Sequence, residues 1–137
     1  MTNCTRRQFV RIAALASLAV PAIVKAAAGP DKIRVAFIGP GGMGTNHIKT
    51  MCKRDDVIFP WVCDADSQRA EKAAKTIQEL TGQTPKVTND MRRVLDDKAV
   101  QAVVMATPDH WHAPGAILAA NAGKHVYVEK PCSHNLR

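Results

Sequence analysis

The chain has 137 residues, a net charge of +7 at pH 7, 46% hydrophobic residues and only 4% aromatic residues. This length suits one globular domain, because domains typically contain ~100–200 residues. Four of the 19 basic residues lie in residues 1–28, which contain no acid, so 15 basic residues face 12 acidic ones in the rest of the chain. A nucleic-acid-binding domain usually keeps its positive charge and its aromatic side chains on the folded part, so this class is disfavoured.

The first 28 residues have the pattern of an export signal. The adjacent Arg6 and Arg7 precede an apolar run at residues 12–24, and an alanine-rich exit ends at Ala28. The run is shorter than the ~20 residues that span a bilayer, and paired arginines before such a run are typical of twin-arginine signals. We therefore predict a twin-arginine signal at residues 1–28, the twin-arginine translocase as a partner during export, and a periplasmic or otherwise exported protein. An amphipathic helix of the fold and an uncleaved anchor are the alternatives.

From residue 29 to residue 137 the sequence alternates between strand and helix patterns, which predicts one domain over this range. The strand segments are apolar and β-rich, and Pro60 predicts a bend or bulge in the second of them. The last helix is apolar on every side, so we expect it to be tightly packed. Such alternation predicts an α/β fold with a doubly wound parallel sheet. The strands are expected at residues 33–39, 57–63, 86–88, 100–106 and 125–129, and the helices at about residues 45–53, 66–80, 90–95 and 114–121. Asp66 and Asp90 are the expected caps of the second and third helices, and Gly82 is expected to end the second.

A glycine-rich turn (residues 39–44) follows the first strand and opens the first helix. Its G-x-G-x-x-G pattern, in this context, is typical of dinucleotide-binding domains, because the second glycine lets the backbone approach a pyrophosphate. The helix N-terminus adds unpaired N–H groups and a positive dipole end. A plain glycine turn and the related turns of FAD and S-adenosylmethionine proteins are the alternatives. The residues expected to contact the cofactor here are Gly39, Gly41, Gly42, Met43 and Gly44.

Asp64 closes the second predicted strand, twenty residues after Gly44. A carboxylate at this position can accept hydrogen bonds from the ribose hydroxyls of the adenosine half, and it repels a 2′-phosphate. The sequence therefore predicts NAD as the cofactor and makes NADP less favoured. The alternative role of Asp64 is that of a helix cap.

A second group of polar residues follows the fourth and fifth strands. Ligands of open α/β sheets bind beyond the carboxyl ends of the strands, so both segments should face the same crevice as the glycine turn. Lys130 is the basic side chain there with the reach to orient a substrate oxygen and to stabilise developing alkoxide charge. Glu129 could hold Lys130 in place, and a surface salt bridge between the two is the alternative.

His110, His112, Cys132 and His134 also offer nitrogen and sulfur donors of the kind that zinc favours. Neither the H-x-H nor the C-x-H pair has the spacing of a zinc finger. We therefore predict no metal site.

Four segments, I-R-V-A-F-I-G-P-G-G-M-G, V-C-D-A-D, A-T-P-D-H-W-H and A-G-K-H-V-Y-V-E-K-P, occur in this order. Together they resemble the N-terminal half of the Gfo/Idh/MocA oxidoreductases, over about residues 32–137. The resemblance implies a Rossmann domain that binds NAD or NADP. It also implies a C-terminal α+β domain with most of the sugar pocket, the usual catalytic Asp and His, and often the oligomer interface. Because no such domain follows residue 137, we expect a truncated chain that is inactive alone and does not oligomerise.

The same resemblance assigns roles to individual residues. Lys130 matches the family's E-K-P lysine at the substrate and the nicotinamide, and Asp64 matches the ribose-binding acid. Thr107, Pro108 and His112 match positions near the cofactor, and Glu129 precedes the lysine there. The expected function is hydride transfer between NAD and a carbinol of a sugar or polyol substrate. A non-catalytic nucleotide-binding module is the alternative.

Overall fold

The computed structural model describes residues 32–134. The export signal predicted for residues 1–28, and its cleavage point, lie outside the described residues. Strands and helices alternate along the described range, as the sequence predicts. Its elements are β1 (Ile33–Ile38), α1 (Gly42–Met51), β2 (Val57–Ile58), β3 (Trp61–Cys63), α2 (Ser67–Thr81), β4 (Lys86–Thr88), α3 (Met91–Asp96), β5 (Ala102–Met105), a 3₁₀ turn (Asp109–Trp111), α4 (His112–Asn121) and β6 (His125–Val128).

The strands form one parallel sheet in the order β4–β3–β1–β5–β6, with β2 paired to the beginning of β1. From the central β1 the chain moves to one side through β3 and β4, and it then crosses back to the other side for β5 and β6. The connections that leave β1 and β5 therefore diverge, which opens a crevice beyond the carboxyl ends of these strands. The predicted doubly wound α/β fold is confirmed.

Helices cover both faces of the sheet because side chains on β1 alternate between them. Val35 and Phe37 pack with apolar residues of α1 and α2, such as Ile48. Ala36 and Ile38 point to the opposite face, where they pack with α3 and α4. These four β1 side chains are nearly fully buried, which explains why the strand is apolar from Val35 to Ile38.

Pro60 divides the predicted second strand into β2 and β3. Proline has no N–H to donate to a ladder, so the pairing with β1 stops on either side of it. The side chain of Gln83 replaces the lost ladder bonds: its Oε1 accepts from the Phe59 amide at 2.9 Å, and its Nε2 donates to the Val57 carbonyl at 3.0 Å. The predicted bend is therefore a real break that a distant glutamine stabilises.

Helix ends follow their predicted signals. The Asp66 carboxylate caps α2 by accepting from the amides of Gln68 and Arg69 at 3.0 and 3.4 Å. Gly82 ends α2 in the left-handed conformation, with φ of 72°. Asp90 caps α3 by accepting from the Arg92 amide at 3.0 Å.

The last helix differs from its prediction. α4 begins at His112, after the 3₁₀ turn, and only one side of it packs on the sheet, through residues such as Gly115 and Ala119. Ile117 and Leu118 are 60% and 45% exposed, so the expectation of tight packing was wrong. A helix that is apolar on every side is normally buried on every side, and here this rule fails. Among the residues described, no helix is long and apolar enough to cross a membrane.

Asp97 provides a test of pH-dependent stability. Its carboxylate accepts from the Trp61 indole N–H and from the Ala99 amide, each at 2.8 Å, and these bonds hold its pKa below the ordinary value. A lowered pKa in the folded state means that the carboxylate stabilises the fold above the ordinary aspartate pKa and loses this effect as pH falls through the lowered value. We expect Asp97→Ala to lower the Tm at pH 7 by about 4–8 °C and to flatten its acid dependence between pH 5 and 3. Equal effects of Asp96→Ala would contradict this.

Candidate functional site

A cleft of about 930 Å³ lies beyond the carboxyl ends of β1, β3 and β5. This is the crevice that the strand order predicts, and its size is within the usual range for ligand sites, ~300–1,000 Å³. The cleft brings together five of the predicted site residues from three separate loops. They are Gly39, Gly41, Asp64, Thr107 and Pro108.

The glycine turn is shaped by close backbone contacts. Gly39 has a φ of 78°, and a Cβ there would lie 2.8 Å from the backbone nitrogen of Thr107. A Cβ at Gly44 would collide with the carbonyl oxygen of Gly39. The Gly39 amide donates to the Cys63 carbonyl at 2.8 Å, which attaches the turn to the end of β3. The fold itself therefore requires glycine at these two positions.

Gly41 is different, because nothing lies within 4 Å of a Cβ built there, although the residue lines the cleft. The fold leaves this space open, so the absence of a side chain gives a ligand access to the backbone. Gly42 and Met43 form the first turn of α1, where amides have no partner within the helix. Gly42, Met43 and Gly44 are not among the residues that line the cleft. A contact between them and a cofactor would therefore come from their backbone N–H groups.

Asp64 follows the carboxyl end of β3. It lines the cleft together with Asp66 and Asp90, and we call this part of the cleft its acidic end. Its Oδ1 accepts from the Asp66 amide at 2.9 Å, which holds the carboxylate in place. Asp90 lies nearby: burial, together with the charges of Asp64 and Asp90, raises the pKa of the Cys63 thiol to about 11. The cleft therefore contains a group of carboxylates at the place where the sequence predicted a single carboxylate, that of Asp64.

Two arginines line the same end of the cleft, and each is paired with an aspartate. The Nε of Arg92 donates to both oxygens of Asp90, at 2.9 and 3.2 Å, and this bond lowers the pKa of that carboxyl group. The Nε of Arg69 lies 3.3 Å from Oδ2 of Asp66. None of these four residues was predicted to belong to the site, although each aspartate is a predicted helix cap with an arginine two or three positions later.

Thr107 supplies an unsatisfied polar atom beside the glycine turn. Its Oγ1 is buried and has no hydrogen-bond partner among residues 32–134. An unsatisfied buried hydroxyl costs about 1–3 kcal/mol, so such a group in a cleft is suited to bonding a ligand. With the open space at Gly41 and the acceptor at Asp64, this hydroxyl makes the cleft fit a dinucleotide: the residues present suit a phosphate, a ribose and a further polar group.

His112, which the resemblance places near the cofactor, lies next to the cleft but does not line it. Its side chain is buried, with 2% exposure, below the loop that follows β5. Its Nδ1 lies 2.6 Å from the carbonyl oxygen of Pro131, and its Nε2 lies 2.8 Å from that of Thr107. Both ring nitrogens therefore face backbone carbonyl oxygens, and a neutral imidazole donates its single N–H to one of them at a time. His112 connects the loop after β5 to the loop after β6.

Replacement of His112 distinguishes a structural role between the two loops from a direct contact with the cofactor. We expect His112→Leu to leave the carbonyls of Thr107 and Pro131 without these bonds and to lower the free energy of unfolding by about 2–3 kcal/mol. Any loss of NAD affinity should follow from this change and be partly recovered in His112→Gln, which can still donate. Chemical denaturation and calorimetry measure the two quantities. A stable His112→Leu protein that cannot bind NAD would instead assign the ring a direct contact.

Glu129 and Lys130 follow β6, and the expected contact between their side chains is not formed. Glu129 Oε1 lies 2.5 Å from His47 Nε2 and accepts from the Tyr127 hydroxyl at 3.1 Å. These bonds, the one from His47 first, lower the pKa of Glu129. The other oxygen accepts from the backbone N–H of Lys130 at 3.3 Å. The Lys130 side chain is exposed, and Glu129 does not line the cleft.

Of the residues considered for zinc, His110 and His134 both lie beside the Asp109 carboxylate. His134 Nδ1 lies 3.0 Å from Asp109 Oδ2, and Cys132 is an exposed free thiol. Within residues 32–134 no group of three or more His, Cys, Asp or Glu side chains is placed to hold a metal ion.

Comparison with known proteins gives one family and a set of relatives. The Gfo/Idh/MocA family model, described as an oxidoreductase family with an NAD-binding Rossmann fold, matches residues 33–137. A glycosyl hydrolase family 109 protein of Shewanella pealeana is 34% identical over 121 residues, which are 78% of this chain and 26% of that protein. An alpha-N-acetylgalactosaminidase of Shewanella oneidensis is 34% identical over 105 residues, 74% of this chain and 23% of that protein. The chain thus spans about a quarter of the length of these curated relatives.

Solved structures with the same fold hold nicotinamide cofactors. GenD2 from gentamicin A biosynthesis, in complex with NAD, has a TM-score of 0.69 and 32% identity, over 76% of this chain and 28% of that one. The myo-inositol dehydrogenase from Lactobacillus casei, with NAD(H) and myo-inositol, has a TM-score of 0.68 and 26% identity, over 74% and 29%. The WlbA dehydrogenase from Chromobacterium violaceum, with NADH and UDP-GlcNAcA, has a TM-score of 0.65 and 30% identity, over 78% and 30%.

Proposed function

Since the chain belongs to the Gfo/Idh/MocA oxidoreductases and forms their NAD-binding Rossmann domain, we propose that it is the cofactor-binding part of an exported enzyme that acts on a sugar or polyol. The reaction proposed is transfer of a hydride between nicotinamide and a carbinol carbon. The observation that supports it best is the cleft itself, in which Gly41 leaves open space, Thr107 presents an unsatisfied hydroxyl and Asp64 presents an acceptor. The sugar and polyol ligands of the structural relatives support the substrate class.

The proposed mechanism divides the work between two loops. Bound NAD supplies the hydride acceptor. The glycine turn and Asp64 orient the dinucleotide by its phosphates and ribose. Lys130, exposed beyond β6, would place an ammonium group against the substrate oxygen. There it would stabilise the negative charge that develops on the oxygen as the hydroxyl proton passes to a base of the full-length enzyme, while the hydride passes from the carbinol carbon to the nicotinamide. His112 holds the two loops at a constant separation through its bonds to Thr107 and Pro131.

A second function is favoured by the family 109 relatives, whose names describe glycoside hydrolysis. Hydrolysis requires no net oxidant, so any hydride that such an enzyme removes from a sugar has to return to it. This chemistry suits an exported protein, because free NAD is not expected outside the cytoplasm and twin-arginine export moves proteins already folded around a cofactor. Under this alternative the enzyme would cleave an N-acetylgalactosaminide and retain its NAD through each cycle.

Purification of the full-length protein from a periplasmic extract tests both functions. Denaturation should release stoichiometric nicotinamide, and the native protein should act without added NAD. Release of sugar from an aryl N-acetylgalactosaminide with no net change in absorbance at 340 nm would favour the hydrolase. Oxidation of a free sugar or polyol with matching reduction of the cofactor would favour the dehydrogenase. If the supernatant contains no nicotinamide and activity depends on added NAD, the retained cofactor is contradicted. Recovery of the protein from the cytoplasmic fraction alone would contradict the export.

A further inference from the structure

The acidic end of the cleft contains two arginines, although the fold and Asp64 favour NAD. An arginine near the adenosine ribose is the group that accommodates the 2′-phosphate of NADP in Rossmann domains. Arg69 and Arg92 both line this end of the cleft, together with Asp64. From residue types alone, Asp64 predicts a preference for NAD and the two arginines predict a preference for NADP. Which preference holds depends on whether the arginines are free or are paired with aspartates.

We propose that the Asp90–Arg92 ion pair is a specificity determinant that disfavours a 2′-phosphorylated dinucleotide by withholding Arg92 from the phosphate. This inference rests on the proposed function, because it assumes that the cleft holds a dinucleotide with its adenosine ribose at Asp64. It assigns a role to residues at the end of β4, on the far side of the ribose position from the glycine turn.

The geometry of Asp90 supports this role. One carboxylate binds both the backbone and the side chain of Arg92: it accepts from the amide at 3.0 Å and from Nε at 2.9 and 3.2 Å. The helix cap and the ion pair thus hold each other in place. The pair between Arg69 and Asp66 is looser, with a single contact at 3.3 Å, and Asp66 also caps α2 through two amides.

The charge at this end of the cleft has the same effect. Asp64, Asp66 and Asp90 carry three negative charges against two positive charges on the arginines, so a phosphate that enters meets a surplus of negative charge. The Arg92 side chain is 79% exposed, so its ion pair with Asp90 is worth little by itself. Loss of the Asp90 charge would both free the guanidinium and remove a repulsion, and the two effects act in the same direction.

Asp90→Asn tests the proposal, because asparagine caps a helix as well as aspartate does. We expect calorimetry on the full chain to show that the ratio of NADP⁺ to NAD⁺ affinity rises about three- to tenfold. Arg92→Ala in the Asp90→Asn background should remove the larger part of the gain and leave only the part that comes from the lost repulsion. The gain should also shrink at high salt. Asp90→Ser, another good cap, serves if the asparagine variant folds poorly, as judged by circular dichroism.

Matched controls come from the same helix. Asp96→Asn changes charge equally and Arg93→Ala removes an equal side chain, yet neither residue lines the cleft, so neither should alter the ratio. An unchanged ratio in Asp90→Asn, a gain that survives Arg92→Ala undiminished, or an equal gain in Asp96→Asn would overturn the proposal and leave NAD binding intact. A wild-type chain that folds but binds neither nucleotide would instead contradict the proposed function, and this inference with it.

Discussion

Gly41→Val is expected to weaken NAD binding by at least about 100-fold while the fold stays intact. The new side chain would extend into space that the protein leaves empty, so it meets no protein atom within 4 Å of its Cβ. It would meet the phosphates of a bound dinucleotide, whose close approach depends on bare backbone. Calorimetry with NAD⁺, and circular dichroism melts of the same samples, measure the two effects separately.

Gly44→Val is the matched control, because it should destabilise the fold directly and lower NAD affinity only as a consequence. A Cβ there collides with the carbonyl oxygen of Gly39, so α1 cannot pack against the turn. We expect a chain that melts at a much lower temperature or does not fold, and that loses binding as a consequence. If Gly41→Val destabilises the chain as much as Gly44→Val does, the open space at Gly41 is structural and not a ligand site.

Lys130→Met in the full-length protein is expected to lower kcat by about 10²–10⁴, the range for removal of a group that stabilises charge in the transition state. NAD affinity should change by no more than about twofold, because the lysine lies beyond β6 and does not line the cofactor cleft. Stopped-flow or steady-state rates, together with calorimetry, test both parts. Lys98→Met, at another exposed lysine, is the control. Loss of NAD binding in Lys130→Met would instead show that the lysine binds the cofactor and would contradict its proposed role in the reaction.

Local signals predicted most of the fold. The apolar β1, the caps at Asp66 and Asp90 and the stop at Gly82 are set by neighbours in sequence, and the structure confirms them. The break at Pro60 was foreseen for the same reason. β5 is shorter than predicted, four residues within residues 100–106, because its pairing with β1 extends over four positions only.

Side-chain partners that are distant in sequence could not be predicted. His47 contacts Glu129 across 82 positions, and Gln83 bonds Val57 across 26, so no spacing or periodicity announces either contact. The position of His112 was assigned by resemblance, and its two backbone bonds become visible only when both loops are in place. Exposure of Ile117 likewise depends on what covers α4, which composition does not reveal.

The strand order has a consequence for how this domain can change over evolutionary time. The cleft exists because the chain adds β3 and β4 on one side of β1 and then β5 and β6 on the other side. Its location is therefore a property of the backbone and survives substitution of the residues that line it. Loop residues such as Asp64 or Lys130 can then vary without loss of the place where a ligand binds. This separation accounts for dehydrogenases that share the fold, at TM-scores of 0.68 and 0.65, yet hold ligands as different as myo-inositol and UDP-GlcNAcA. New specificities can be selected one loop at a time on such a scaffold.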